Sequence, residues 1–137
     1  IKIVHQAGKS DFLRVKSEYE KIGINADVFD FTKDILTKMS EADFCVSRAG
    51  ASTLFELCAN NLPTFFIPFK YAAQNHQYYN AKALFEKNLC FLQSEDELDE
   101  NYFFECLNSN IEKISTGLKE FIKPNAVEKI VDDILNN

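Results

Sequence analysis

The chain has 137 residues, 46% of them apolar and 26% charged, which suits one globular domain with a real core and excludes a disordered chain. A formal net charge of -6 argues against binding nucleic acid through its phosphate backbone and against a broad basic surface for anionic lipids. Neither a signal peptide nor a run of about 18 apolar residues is predicted, so no segment is expected to span a membrane.

In chain order, residues 1–5 read as a short buried strand with no initiating Met, and a chain that opens inside a strand is expected to be a piece of something longer. Gly8 marks a turn and Ser10 is a candidate helix cap. Phe12, Val15, Tyr19 and Ile22 recur at spacings of three, four and three, one apolar stripe of a helix that Gly23 ends. Residues 26–31 form a second strand, and Ile35, Leu36 and Met39 the inner face of a short helix. Residues 44–47 form a third strand, apolar as a fully covered parallel strand should be, followed by a helix over residues 52–59. Residues 63–68 (PTFFIP) form a fourth strand with a proline at each end, and a polar stretch then leads into a helix over residues 76–87. Residues 89–93 form a fifth strand and the remainder is helical. There Ile111, Ile114 and Leu118 make one stripe; Val127, Ile130, Val131, Ile134 and Leu135 make another, started by Asn125 with Glu128.

Strands alternating with helices predict an α/β fold, a Rossmann-like parallel sheet with helices on both faces. Ligands of such sheets bind beyond the C-terminal ends of the strands, so chemistry is sought just after each strand. Cys45, Cys58, Cys90 and Cys106 form no CxxC pair and have no histidine nearby in sequence, which excludes zinc-ligand spacing. They read as reduced, mostly buried small hydrophobes, in keeping with a cytoplasmic compartment.

The segment SRAGASTLFEL, residues 47–57, falls where the third strand turns into a helix. Gly50 permits a tight turn, Ala51 and Ser52 are small, and Ser52, Thr53 and Leu54 are expected to offer free N–H groups at a helix start suited to a phosphate or sugar hydroxyl. Arg48 beside it offers a fixed charge for a pyrophosphate. The same letters allow a plainer reading, with Thr53 and Glu56 as a capping box and Arg48 as a surface or domain-interface residue. In NHQYYNA, residues 75–81, His76, Gln77 and Asn80 share one helix face, where amides suit sugar hydroxyls; the alternative is a helix cap with solvated polar residues. His5 reads as a structural histidine or a pocket wall. No nucleophile triad is spaced along the chain, and the four glycines, Gly8, Gly23, Gly50 and Gly117, exclude GxGxxG and Walker-type loops.

Residues 47–84, SRAGASTLFELCANNLPTFFIPFKYAAQNHQYYNAKAL, together with HQAGK at residues 5–9 and FDFTKDI before the third strand, resemble the MurG family of N-acetylglucosaminyltransferases in content and order. Asn61 stands where the family often has Gly before Leu-Pro. The resemblance implies a two-domain GT-B fold of which residues 1–137 are part of the C-terminal, UDP-sugar-binding domain, with the acceptor domain and the first part of this domain outside the chain. It implies an inverting, metal-independent transfer of N-acetylglucosamine from UDP-N-acetylglucosamine to a lipid-linked muramoyl-pentapeptide, with no cofactor. In it Glu56 accepts from the ribose hydroxyls, and Gly50 with the amides of Ala51, Ser52 and Thr53 meets the sugar and diphosphate. Arg48 lies near the diphosphate, His76, Gln77 and Asn80 line the pocket, and the backbone at Thr32 faces the uracil. The general base and most membrane contact are expected in the acceptor domain, at the cytoplasmic face of the bacterial inner membrane, so this chain alone is expected to lack transferase activity. Two other readings of the same fold are a non-catalytic subunit of a two-chain transferase and a UDP-sugar epimerase or hydrolase.

Overall fold

The computed structural model describes residues 1–71 and 75–122, so the second C-terminal stripe, from Val127 to Leu135, lies outside the described residues. The chain groups into two compact units, Ile1–Glu41 and Ala42–Asn137.

The first unit runs β1 (Ile3–Gln6), α1 (Gly8–Lys21), β2 (Ala26–Phe29) and α2 (Ile35–Ser40). β1 and β2 pair in parallel, with Ile3 opposite Ala26 and Gln6 opposite Phe29. The helix starts at Gly8, earlier than Ser10 predicts, and Ser10 lies inside it without capping; its hydroxyl donates to Asp11 instead. At the other end the Gly23 reading holds: Gly23, at φ 70°, donates to the Glu20 carbonyl and Ile24 to that of Tyr19, the two bonds of a Schellman motif. Phe12, Val15 and Tyr19 are half-buried as the stripe predicts, whereas Ile22, in the capping position, is exposed. Leu36 is also exposed, so the inner face of α2 reduces to Ile35 and Met39.

The second unit runs β3 (Cys45–Ser47), α3 (Ala51–Ala59), β4 (Thr64–Phe66), α4 (His76–Phe85), β5 (Phe91–Leu92), α5 (Glu100–Leu107) and α6 (Ile111–Phe121), with a 3-10 turn at Glu95–Glu97. Its strands are parallel in the order β3-β4-β5, with Ser47 opposite Phe66 and Phe66 opposite Leu92. The alternation of strand and helix and the parallel pairing agree with the predicted fold class. All three residues of β4 are buried, and Phe65 sits among the rings of Phe91, Tyr102 and Phe103. α3 packs against α4 and α6 through Leu54, Leu57 and Cys58. β3 departs from the fully covered strand expected, because Val46 is half exposed.

Cys58, Cys90 and Cys106 are buried and Cys45 is half-buried, all four with free thiols. Burial pushes the Cys58 thiol up to about 11 and that of Cys90 to about 12.

Candidate donor-binding turn

The parallel register brings the ends of β3, β4 and β5 to one edge of the second unit. Arg48 follows β3, Ile67 and Pro68 follow β4, and the turn at Glu95–Glu97 follows β5. This edge is where an α/β sheet holds a ligand.

At the end of β3 the chain turns through Gly50, which is the N-cap of α3 in extended backbone. No side chain caps the helix. The capping box of Thr53 and Glu56 is therefore not formed: α3 begins at Ala51, which places Thr53 within its first turn. The same early start shifts the expected donors by one residue. The Leu54 amide donates to the Gly50 carbonyl at 2.9 Å as the first bond of the helix, so the amides ahead of it are those of Ala51, Ser52 and Thr53. Glu56 lies three residues after Thr53 and four after Ser52, on the same side of α3, and is half-buried.

Two predicted residues of α4 hold this edge in place. Asn80 Nδ2 donates to the Ala49 carbonyl at 3.2 Å, fixing the turn that leads into α3. Gln77 Oε1 accepts from the Phe69 amide at 3.0 Å, fixing the loop after β4. Each amide side chain thus spends one polar atom on backbone. His76, the first residue of α4, is exposed. The helix starts from Asn75, which takes φ 54° and makes no side-chain cap bond.

Arg48 is engaged more fully than its sequence context suggests. Its Nη1 donates to the carbonyls of Ile67 at 3.1 Å and Pro68 at 3.3 Å and to Glu95 Oε2 at 3.2 Å, and its Nη2 donates to Glu95 Oε1 at 3.0 Å. The guanidinium also stands 5.6 Å from the centre of the Phe69 ring. The hydrogen bonds from Arg48 hold the Glu95 carboxyl below the usual carboxylate range. Glu95 is the residue that sequence reasoning missed. The only available signal was a run of acidic residues, Glu95 to Glu97, directly after a strand whose C-terminal end faces the site.

Beside this pair lies an open concavity of about 250 Å3, lined by Pro68, Phe69, Lys70, Asn75, Tyr78, Ser94, Glu95 and Asp96. Lys70 and Asp96 form an ion pair on its wall. Thr32 belongs to the first unit, where its Oγ1 accepts from the Asp34 amide in a local turn. His5 proves to be a structural histidine: Nδ1 lies 3.1 Å from the Tyr19 hydroxyl and the two rings meet edge to face. The second unit therefore brings together Arg48, the Gly50 turn, the amides of α3, Gln77 and Asn80.

The chain is similar to known proteins over nearly its whole length. The chain is 50% identical over 137 residues to the UDP-N-acetylglucosamine--N-acetylmuramyl-(pentapeptide) pyrophosphoryl-undecaprenol N-acetylglucosamine transferase of Campylobacter jejuni strain 81-176, covering 98% of this chain and 40% of that protein. The protein of the same name from Sulfurimonas denitrificans is 44% identical over 135 residues, with 98% and 40% covered. Among solved structures, the crystal structure of Acinetobacter baumannii MurG superposes with a TM-score of 0.86 at 25% identity, over 99% of this chain and 43% of that one. The chain thus spans about 40% of the length of the curated relatives it matches. The model of the glycosyltransferase family 28 C-terminal domain matches residues 1–134, and the chain belongs to that family.

Proposed function

We propose that this chain is the donor-binding part of an inverting N-acetylglucosaminyltransferase, which moves N-acetylglucosamine from UDP-N-acetylglucosamine to a lipid-linked muramoyl-pentapeptide in peptidoglycan synthesis. The observation that carries the reading is the uncapped start of α3, with Glu56 one turn further along, in a chain of this family. The partial positive charge at that start suits the diphosphate. As the bond to the sugar breaks, negative charge grows on the departing UDP, and fixed amides at Ala51, Ser52 and Thr53 would stabilise it without reorganising. Glu56 would accept from the ribose hydroxyls. Arg48 would stand close to the diphosphate, and His76, Gln77 and Asn80 would line the sugar side, the last two already fixed through backbone. The backbone at Thr32 would face the uracil. Residues 1–137 would then be one part of a two-domain enzyme whose other domain holds the acceptor, the general base and most of the contact with the cytoplasmic face of the inner membrane.

Titration with UDP-N-acetylglucosamine and with UDP-glucose, beside Glu56→Ala, tests the reading. We expect selective binding of the first, weakened roughly 10- to 100-fold in Glu56→Ala, the size of a lost hydrogen bond to a charged acceptor. Equal affinity of Glu56→Ala and the parent chain would remove Glu56 from the site. No binding of either nucleotide sugar by the folded protein would count against the whole reading.

A further inference from the structure

Arg48 stands two residues before Gly50, and its guanidinium is already answered by the Glu95 carboxylate. Nη1 faces three acceptors, two carbonyls and Glu95 Oε2, yet carries only two hydrogens, and all three distances lie between 3.1 and 3.3 Å. One of those contacts is therefore always shared. The carbonyls belong to Ile67 and Pro68, just past buried β4, where the Ile67 amide donates to the Ser47 carbonyl and ties the backbone to β3, so they are the less mobile acceptors. Glu95 can leave, since it sits on an exposed 3-10 turn beside the like charge of Asp96 and its side chain is 40% exposed, and apart from Arg48 its carboxylate is supported by the Lys70 backbone amide. The edge it occupies, with both terminal nitrogens toward one carboxylate, is the edge by which a guanidinium takes a phosphate.

We propose that Glu95 sets how tightly the donor's diphosphate is held, by occupying the anion-binding edge of Arg48 and neutralising it until a diphosphate takes its place. The proposal rests on the donor-site reading above. Glu95 acts through Arg48 and touches no reacting atom, so it is a positioning residue. Its carboxylate lowers affinity for UDP and, in doing so, helps the product leave.

The test compares UDP with uridine, which keeps the base and ribose and lacks the diphosphate, on the full-length natural protein, its Glu95→Gln variant, and both forms in an Arg48→Ala background. Glu95→Gln is expected to tighten UDP binding about two- to fivefold, the scale of one exposed bidentate ion pair. Uridine affinity stays unchanged, and the gain shrinks in 0.5 M salt, about half the screening length of 0.1 M and less. In the Arg48→Ala background the substitution has no effect on UDP. Unchanged or weaker UDP binding by a folded Glu95→Gln protein overturns the proposal, as does an equal gain for uridine or a gain that survives Arg48→Ala. If the unsubstituted protein binds neither UDP nor uridine, the donor-site reading itself falls, and this proposal with it.

Discussion

Three asparagines, Asn61, Asn75 and Asn88, hold left-handed backbone at φ 53–57°. Asn61 and Asn88 end helices: the Asn61 amide donates to Cys58 and that of Leu62 to Leu57, while Asn88 donates to Phe85 and Leu89 to Leu84. These are the bonds that Gly23 makes at the end of α1. A short polar side chain tolerates this backbone where Ala does not. Asn61→Ala is therefore expected to lose about 1 kcal/mol in urea unfolding, and Asn61→Gly to stay within about 0.5 kcal/mol of the parent. The role of Asn61 was legible because the family resemblance set a glycine at its place. Nothing comparable marked Asn88. Arg48 shows the opposite limit. Its position beside the turn could be read from the segment after β3, but its partner lies 47 residues away, and no local spacing encodes a contact made by the register of three strands.

At the scale of elements, the five strands and the helices α1, α2, α3, α4 and α6 were each located in the sequence, because alternating apolar runs and stripes report burial directly, whereas α5 fell in a remainder read only as helical. Their edges shifted where capping decided them. α3 starts one residue early because Gly50 itself serves as the cap, and α1 starts at Gly8, after Ala7. Gly117 illustrates a constraint hidden from any periodicity. A Cβ there would stand 2.6 Å from Leu89 Cδ2, and Leu89 is buried. The helix-propensity gain of Gly117→Ala, about 1 kcal/mol, is thus outweighed by the overpacking term of about 1–3 kcal/mol. Thermal unfolding should show Gly117→Ala as destabilising alone and stabilising once Leu89→Ala has cleared the space. Destabilisation of the same size in both backgrounds would mean that Leu89 is not the obstacle.

At the scale of the whole molecule, the fully buried side chains of the described residues all belong to the second unit, from Ala49 to Leu118. Three of them are thiols, Cys58, Cys90 and Cys106, and burial opposes the ionisation of each. In the unfolded chain Cys58 and Cys90 ionise near pH 9; folded, Cys58 does so at about 11 and Cys90 at about 12. The folded values are the higher, so the associated stability is complete below pH 9 and is lost as pH rises toward them. Above pH 9 each thiol should remove about 1.4 kcal/mol per pH unit. Urea midpoints between pH 8 and pH 10.5 should fall accordingly, with a shallower fall for Cys90→Ala. An unchanged slope in that variant would place the alkaline loss elsewhere.

Cells are full of small phosphates, from inorganic phosphate to free nucleotides, and an unanswered arginine beside an amide-lined helix start would collect any of them. The guanidinium of Arg48 comes with its own counter-ion in Glu95 and leans on two carbonyls besides. A passing anion therefore gains little by approaching it on charge alone. On the donor-site reading proposed above, only a molecule that brings further contacts, such as a ribose for Glu56, would have reason to stay, and the turn would discriminate among the phosphates around it without a shape to exclude them.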